Sequence, residues 1–294
     1  MTYAYVAVAL VAAAVLYKAY MSLNGKKFVK LNPREFSKFK LVEKFDVISP
    51  DVGCHTMLFR FGLPPNTALA LPCGQHISIK GYNDAKAMIV RQYTPTSNEN
   101  TLGHFDVIIK IYPNGQMGNY LKNLPLGTMV EIKGPNGHLH YKGNGLFAIR
   151  RKYEATITAK EHMYNVKNVG MIAGGSGITP MLQIIHTVSQ DINDSTKLSL
   201  IYGNRTIGDI MCRTDIEAIA ERNANFKSHF MVDTCSDSTW TGGVGYITKD
   251  VLAQKLPAPG KDTIILLCGP PPMLNALMNN LNALGYTDDM IFCY

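Results

Sequence analysis

Between residues 36 and 147 the chain alternates apolar and polar positions in short bursts. Runs at 40–48, 56–61, 76–80, 105–112 and 129–133 are cut off by Leu63-Pro64-Pro65, Pro72-Cys73-Gly74, Pro113-Asn114-Gly115 and Gly134-Pro135-Asn136-Gly137. A period of two interrupted this often predicts many short strands, and hence an antiparallel β-barrel or sandwich. From residue 166 the pattern changes. An apolar strand at 168–173 runs into Gly174-Gly175-Ser176-Gly177. Thr179 then reads as a helix cap with Pro180 in the first helical position, and Met181, Leu182, Ile184, Ile185 and Val188 follow at helical spacing. Strands at 198–202, 226–232 and 263–267 alternate with helices centred on 215–221 and 248–254. A last helix ends near Leu284, with Gly285 as its stop. This alternation predicts a parallel sheet whose ligands bind at the carboxyl ends of its strands. The class is therefore β followed by α/β: a barrel domain at 36–147, a linker at 148–165 and an α/β domain at 166–294.

Ahead of both domains, residues 3–17 are uncharged and almost wholly apolar, and Ala19-Tyr20-Met21 extends the run past Lys18. Roughly 20 apolar residues span a bilayer, and lysines at the end of such a helix snorkel. Tyrosines at both ends fit the interfacial belt. Lys18, Lys26, Lys27 and Lys30 all follow the start of the run, and no acid occurs in the first 30 residues. The expectation is a membrane anchor at 1–24 with the main body on the cytosolic side. A cleavable signal would carry a basic region before its apolar core, and Met1-Thr2 lacks the glycine that myristoylation needs.

With 294 residues, 46% of them hydrophobic, the chain is large enough for two cores. The net charge of +7 is concentrated beside the apolar segment, which argues for membrane orientation and against nucleic-acid binding. The six cysteines form no C-x-x-C pair, so free thiols in a reducing compartment are expected. His138 and His140 read as part of a polar turn and not as metal ligands, and no metal site is expected.

Three motifs carry the candidate chemistry. In Arg91-Gln92-Tyr93-Thr94 an arginine able to grip a diphosphate precedes, on the same face of an extended chain, an aromatic ring able to cover a flat ring system, and the Thr94 hydroxyl is next. An edge-strand arginine paired with an acid explains the same residues. Downstream, Ile108, Lys110 and Tyr112 share one strand face, and Gly115-Gln116-Met117-Gly118 can open a helix whose free N–H groups suit phosphate oxygens. The second motif, Gly174 to Gly177, is a strand–helix turn that lets backbone approach a phosphate, or simply a structural turn. In the third, Cys268-Gly269-Pro270-Pro271-Pro272-Met273, a small thiol at a strand end either packs beside a nicotinamide or is a buried core cysteine.

In this order and spacing the motifs resemble those of the NADH–cytochrome b5 reductase family, within the ferredoxin-NADP reductase superfamily, over about residues 36–294. The resemblance implies a FAD-binding barrel, an NADH-binding α/β domain and the flavin between them. It implies that Arg91 holds the FAD diphosphate, that Gln92 and Tyr93 belong to the flavin site with Tyr93 on the ring, and that Thr94 bonds near the hydride-accepting nitrogen. Ile108, Lys110 and Tyr112 would line the flavin cleft, Gln116, Met117 and Gly118 would face the diphosphate, and Thr179 would reach FAD from the second domain. NADH would be held by Gly174, Gly175, Ser176, Gly177, Cys268, Gly269, Pro270 and Met273, with Thr94 and Cys268 at the reacting atoms. Asp209 would accept a bond from the adenosine ribose and favour NADH, while a nearby Arg205 would tolerate a 2′-phosphate. The implied acceptor is cytochrome b5, a separate acidic haem protein met through exposed lysines and arginines. The implied membrane is the endoplasmic reticulum or the mitochondrial outer membrane. Other readings keep both cofactors and change the acceptor to a quinone, ferric chelate or oxygenase, or make the chain a scaffold without turnover. Gln116 and Gly118 depart from the family's lysine and serine, and the chain closes on Tyr294 where phenylalanine is frequent.

Overall fold

The computed structural model describes residues 25–98, 100–150 and 160–294. The anchor expected at 1–24 lies outside the described residues, and no described helix is long and apolar enough to cross a membrane.

The chain enters through β1 (Lys27–Val29), which lies parallel to β4 (Thr67–Leu69), so the first domain begins earlier than residue 36. Its main sheet contains β2 (Ser37–Ile48), β3 (Thr56–Gly62), β5 (His76–Tyr82), β6 (Met88–Tyr93), β7 (His104–Lys110) and β8 (Met129–Asn136), in the order β6-β5-β8-β2-β3-β7. Every pairing in it is antiparallel. The two edges meet where the chain leaves β6: the N–H of Thr96 donates to the Asp106 carbonyl on β7 at 2.9 Å. Inside the curl lie Phe39, Leu41, Phe59, Phe61, Ile77, Ile79, Phe105, Val107, Ile109 and Ile132. The stacked rings of Phe61 and Phe105 (5.2 Å) and the edge-on contact of Phe39 with Phe105 (5.3 Å) fill its centre. Helix α1 (Gln116–Asn123) packs on β5 and β6.

A small antiparallel sheet follows: β9 (Leu139–Tyr141), β10 (Leu146–Ile149) and β11 (His162–Asn165), ordered β11-β10-β9. Residues 148–165, expected as a linker, thus contribute paired strands. Leu139, Tyr141, Phe147 and Ile149 bury themselves in the core of the second domain. The basic cluster at Arg150-Arg151-Lys152 masks this pattern in the sequence, because it interrupts the apolar run where β10 ends.

The second domain is a parallel sheet of β12 (Asn168–Gly174), β13 (Lys197–Asn204), β14 (Phe226–Val232), β15 (Gly243–Val244), β16 (Thr263–Cys268) and β17 (Ile291–Cys293), ordered β15-β14-β13-β12-β16-β17. Helices α2 (Ile178–Gln190), α3 (Arg213–Arg222), α4 (Lys249–Lys255) and α5 (Pro271–Ala283) separate the strands. After β12 the chain builds outward through β13 and β14, then crosses to the other side of β12 for β16. That reversal opens a crevice beyond the carboxyl ends of β12 and β16, where the two glycine- and proline-rich loops fall. Helix α2 starts at Ile178, so Thr179 lies inside its first turn and does not cap it. The Thr179 hydroxyl instead donates to the Ser176 carbonyl at 3.3 Å.

Polar bonds join the two domains, two of them buried and one at the surface. The Gln183 side chain of α2 accepts from the Gly74 N–H and donates to the Pro95 carbonyl, both at 2.9 Å. Asn98 donates to Gln190 at 2.6 Å. On β7 the alternation divides the labour: Val107 and Ile109 enter the barrel core, whereas Ile108 joins the core of the α/β domain.

Candidate functional site

Where the domains meet, a cleft of about 580 Å³ is lined by Cys54, Lys110 and Tyr112 from the barrel and by Gly174, Gly175, Asn204, Arg205, Asp209, Asp233, Tyr246, Pro270 and Met273 from the sheet. The two sheet loops interlock at its inner end. A Cβ on Gly177 would stand 2.1 Å from the Cys268 carbonyl oxygen, so only glycine fits there. The Tyr202 hydroxyl donates to the Gly175 carbonyl at 3.0 Å and fixes the first loop from beneath. The 3₁₀ turn Gly175–Gly177 leads straight into α2, whose Ile178 N–H bonds back to the Gly175 and Ser176 carbonyls; the turn has no side-chain cap and no acid, which leaves the glycine loop at the positive dipole end for an anion. Lys110 reaches over from β7, its Nζ 3.4 Å from the Asp209 carbonyl oxygen. Burial, with the neighbouring Cys293 second, pushes the Cys268 thiol up to about 11, so it is neutral at physiological pH.

Arg91 lies on β6, the outer strand of its sheet. No acid pairs with it among the described residues, and its one bond is to the Val90 carbonyl at 2.9 Å. Tyr93, two residues on, packs against the barrel core; burial pushes its hydroxyl up to about 12, against the pull of Arg91. The start of α1 is also open: Gly115 supplies no side-chain cap, and the first turn holds no acid. This gives a second anion site, on a helix packed across the strand that carries Arg91.

Polar atoms without protein partners test whether the site fits its cofactors. The Asn204 amide is buried at the cleft wall beside the Tyr202 hydroxyl, with hydrogen-bonding capacity to spare. His76 Nε2 is buried without a partner. Burial, and then the neighbouring His138, lower the His76 pKa, so the ring is neutral. His76 pairs with Asn136 on β8, while the β5–β6 pairing ends at Ile77 and Tyr93, directly before Thr94. Each orphaned group costs about 1–3 kcal/mol unless a ligand satisfies it. The residues that line the cleft therefore suit a nucleotide along it.

Asp209, the acid that the resemblance sets beside the adenosine ribose, is engaged by donors of both domains. It borders the cleft, yet it is only 6% exposed and its carboxylate is taken up. Oδ1 accepts from the Cys54 N–H of the barrel at 2.7 Å; Oδ2 accepts from the Thr206 hydroxyl at 2.9 Å and the Thr206 N–H at 3.2 Å. Burial alone would raise its pKa. The bonds from Cys54 and Thr206 and the charge of Lys110 outweigh that and hold it below the ordinary value. The free acid of the cleft is Asp233, exposed just past the end of β14. Tyr246, 86% exposed, stands on the same wall. Asp233, Tyr246, Asn204 and His76 all escape sequence reasoning. For Asp233 a signal existed, an acid directly after an apolar strand of a parallel sheet.

Residues 38–141 match the family model of the oxidoreductase FAD-binding domain, and residues 171–279 that of the oxidoreductase NAD-binding domain. An NADH-cytochrome b5 reductase 1 from Emericella nidulans is 36% identical over 303 residues, covering 98% of this chain and 89% of the relative. An NADH-cytochrome b5 reductase 2 from Xenopus laevis is 39% identical over 278 residues, covering 90% of each. The chain belongs to the NADH–cytochrome b5 reductase family. Among solved structures, the cytochrome b5 reductase domain of Ulva prolifera nitrate reductase superposes with a TM-score of 0.78 at 33% identity, covering 90% of this chain and 99% of that one. Family membership makes this an FAD- and NADH-binding oxidoreductase.

The geometry accounts for one departure from the family pattern. A Cβ on Gly118 would come within 3.2 Å of Ile111 Cδ1 and 3.4 Å of the Lys110 carbonyl, so α1 sits closer to the barrel than a larger residue allows. Gln116 is exposed at the start of α1, and nothing in its surroundings explains the absence of a lysine. Tyr294 packs edge-on against Phe292 at 5.2 Å, and its hydroxyl is buried near Cys73 and Cys268.

Proposed function

We propose that the protein passes electrons from NADH, through FAD, singly to cytochrome b5, and that residues 1–24 hold it on the cytosolic face of the endoplasmic reticulum or mitochondrial outer membrane. One observation carries the reading: Lys110 and Tyr112 from the barrel share a single cleft with the Gly174–Gly177 and Pro270–Met273 loops of the sheet. Bound FAD supplies the chemistry, since it takes electrons in pairs and releases them one at a time. Arg91 and the open start of α1 suit its diphosphate, Tyr93 its ring, and Thr94 with His76 its polar edge.

The rest of the machinery orients NADH. The glycine loop and the uncapped start of α2 receive its diphosphate, with Lys110 opposite. Asp233 accepts from the 2′-hydroxyl of the adenosine ribose, and Tyr246 covers the adenine. Cys268, small and neutral, packs beside the nicotinamide without competing as a base. No proton-transfer residue is needed for a hydride to cross between stacked rings; alignment and exclusion of water suffice.

The purified full chain should reduce cytochrome b5 with NADH faster than it reduces a quinone or a ferric chelate. A preference for either of those would replace the acceptor. Deletion of residues 1–24 should release the protein from membranes in a flotation assay, and retention would remove the anchor.

A further inference from the structure

Helix α2 begins at the glycine loop and turns one face to the barrel. Gln183, His186 and Gln190 follow at i, i+3 and i+7, so they share that face. Gln183 is only 4% exposed; its Oε1 accepts from the Gly74 N–H and its Nε2 donates to the Pro95 carbonyl, each at 2.9 Å. His186 Nδ1 lies 3.4 Å from the Thr96 carbonyl oxygen, and Gln190 accepts from Asn98 at 2.6 Å. The barrel holds the same stretch from its own side, since the Thr96 N–H donates to the Asp106 carbonyl at 2.9 Å. Gly74 is fixed as well. Its φ of +92° favours glycine, and a Cβ there would run into Leu139. Thr94 therefore sits between the last residue of β6 and a buried proline whose carbonyl the helix holds.

We propose that Gln183 is a positioning residue for hydride transfer, setting the separation between the backbone that carries Thr94 and the loop that receives NADH. The proposal rests on the reading of Thr94 as a flavin contact and of the cleft as the dinucleotide site. One helix serves both. The 3₁₀ turn Gly175–Gly177 runs straight into α2, and Gln183 comes five residues after the first helical residue, roughly 8 Å along the axis. An amide suits the task, because it donates and accepts at once and its two barrel partners are backbone groups of opposite kind. An apolar side chain of similar size would fill the seam, leave both groups unpaired and no longer tie Pro95 to the helix. Hydride transfer tolerates little error, and a misplacement near 1 Å costs about 10²-fold in rate. Asn98, on the surface, joins the same helix to the barrel without holding the residue next to Thr94.

The test uses the FAD-loaded full chain. Gln183→Met should slow reduction of FAD by NADH about 10- to 100-fold in stopped-flow absorbance. Its affinity for NAD⁺ in equilibrium titration should change less than about threefold, because the interaction lost is one that acts on the reacting geometry and not on binding. The long-wavelength absorbance that NAD⁺ gives against reduced flavin should weaken, a measure of ring contact that does not depend on turnover. Should Gln183→Met fail to fold, Gln183→Asn decides: it keeps an amide in the seam, one methylene short, and should slow the same step about tenfold. Asn98→Ala should transfer hydride at the wild-type rate. Gln183 variants that melt lower yet reduce FAD as fast as the wild type would make the residue a structural tie alone and overturn the proposal. So would equal slowing in Asn98→Ala, or a loss of NAD⁺ affinity as large as the loss of rate. If NADH does not reduce FAD in the wild type, the reading of the cleft falls and the proposal falls with it.

Discussion

Asp209 and Asp233 follow neighbouring strands of one sheet and border one cleft, yet their surroundings are opposite. Asp209 is buried, and three donors from two domains fill its carboxylate. Asp233 is exposed, and no hydrogen bond or ion pair engages its carboxylate among the described residues. The first therefore joins the barrel to the sheet, and the second is free to meet a ligand. Between the domains, satisfied polar groups such as Asp209 and Gln183 mark the seam that sets them, whereas the exposed Arg205 and Asp233 stand on the cleft wall. A carboxylate in the expected stretch of sequence is thus weak evidence of a binding role until its partners are counted.

Four substitutions separate seam from cleft, in decreasing order of expected effect. Gly177→Ala drives a Cβ into the Cys268 carbonyl and should slow reduction of bound FAD by NADH about 10²-fold, the cost of a misplacement near 1 Å. Stopped-flow absorbance reads this directly, and an unchanged rate would mean that the two loops do not align the nicotinamide. Asp209→Ala strands the Cys54 and Thr206 donors and should cost about 2–4 kcal/mol, a fall of roughly 5–10 °C in melting temperature. Tyr246→Ala should weaken NAD⁺ about tenfold in equilibrium titration, from the loss of one stacking surface, with the melting temperature unchanged. Asp233→Asn should leave stability untouched and narrow the preference for NADH over NADPH by a few-fold. If Asp233→Asn melted lower and Asp209→Ala lost only nucleotide affinity, the comparison would be reversed.

The same comparison has a pH signature. The folded Asp209 pKa lies below the ordinary 3.8, so the unfolded chain binds this proton first as acid is added. Its stabilisation is complete above that ordinary value and is lost as pH falls through the lower folded one. Acid unfolding should therefore show a steeper stability loss below pH 3.8 in the wild type than in Asp209→Ala. Parallel curves would show that the carboxylate adds nothing to the folded state.

Much of this was legible in the residues. The switch from period two to period 3.6 marks the two sheets, and the loops at Gly174 and Cys268 lie at the crevice where a parallel sheet places ligands. Ile108, Lys110 and Tyr112 were grouped by alternation alone, and Lys110 and Tyr112 do border the cleft. What stayed hidden has a physical reason. Asp233, Asn204 and His76 are single polar residues at strand ends, and their roles depend on neighbours far away in sequence. β10 hides behind a basic cluster that breaks its apolar run, and β11, His162–Asn165, has no apolar run to reveal it. The helix at Ile178 begins early because a 3₁₀ turn over Gly175–Gly177 already bends the backbone toward it.

The most direct test is a visible spectrum of the purified full chain before and after anaerobic NADH. The account predicts a yellow protein with flavin absorbance that bleaches on adding about one equivalent of NADH. A protein that carries its full complement of FAD and keeps its colour after NADH would contradict the claim that the barrel and the sheet bring the two cofactors together.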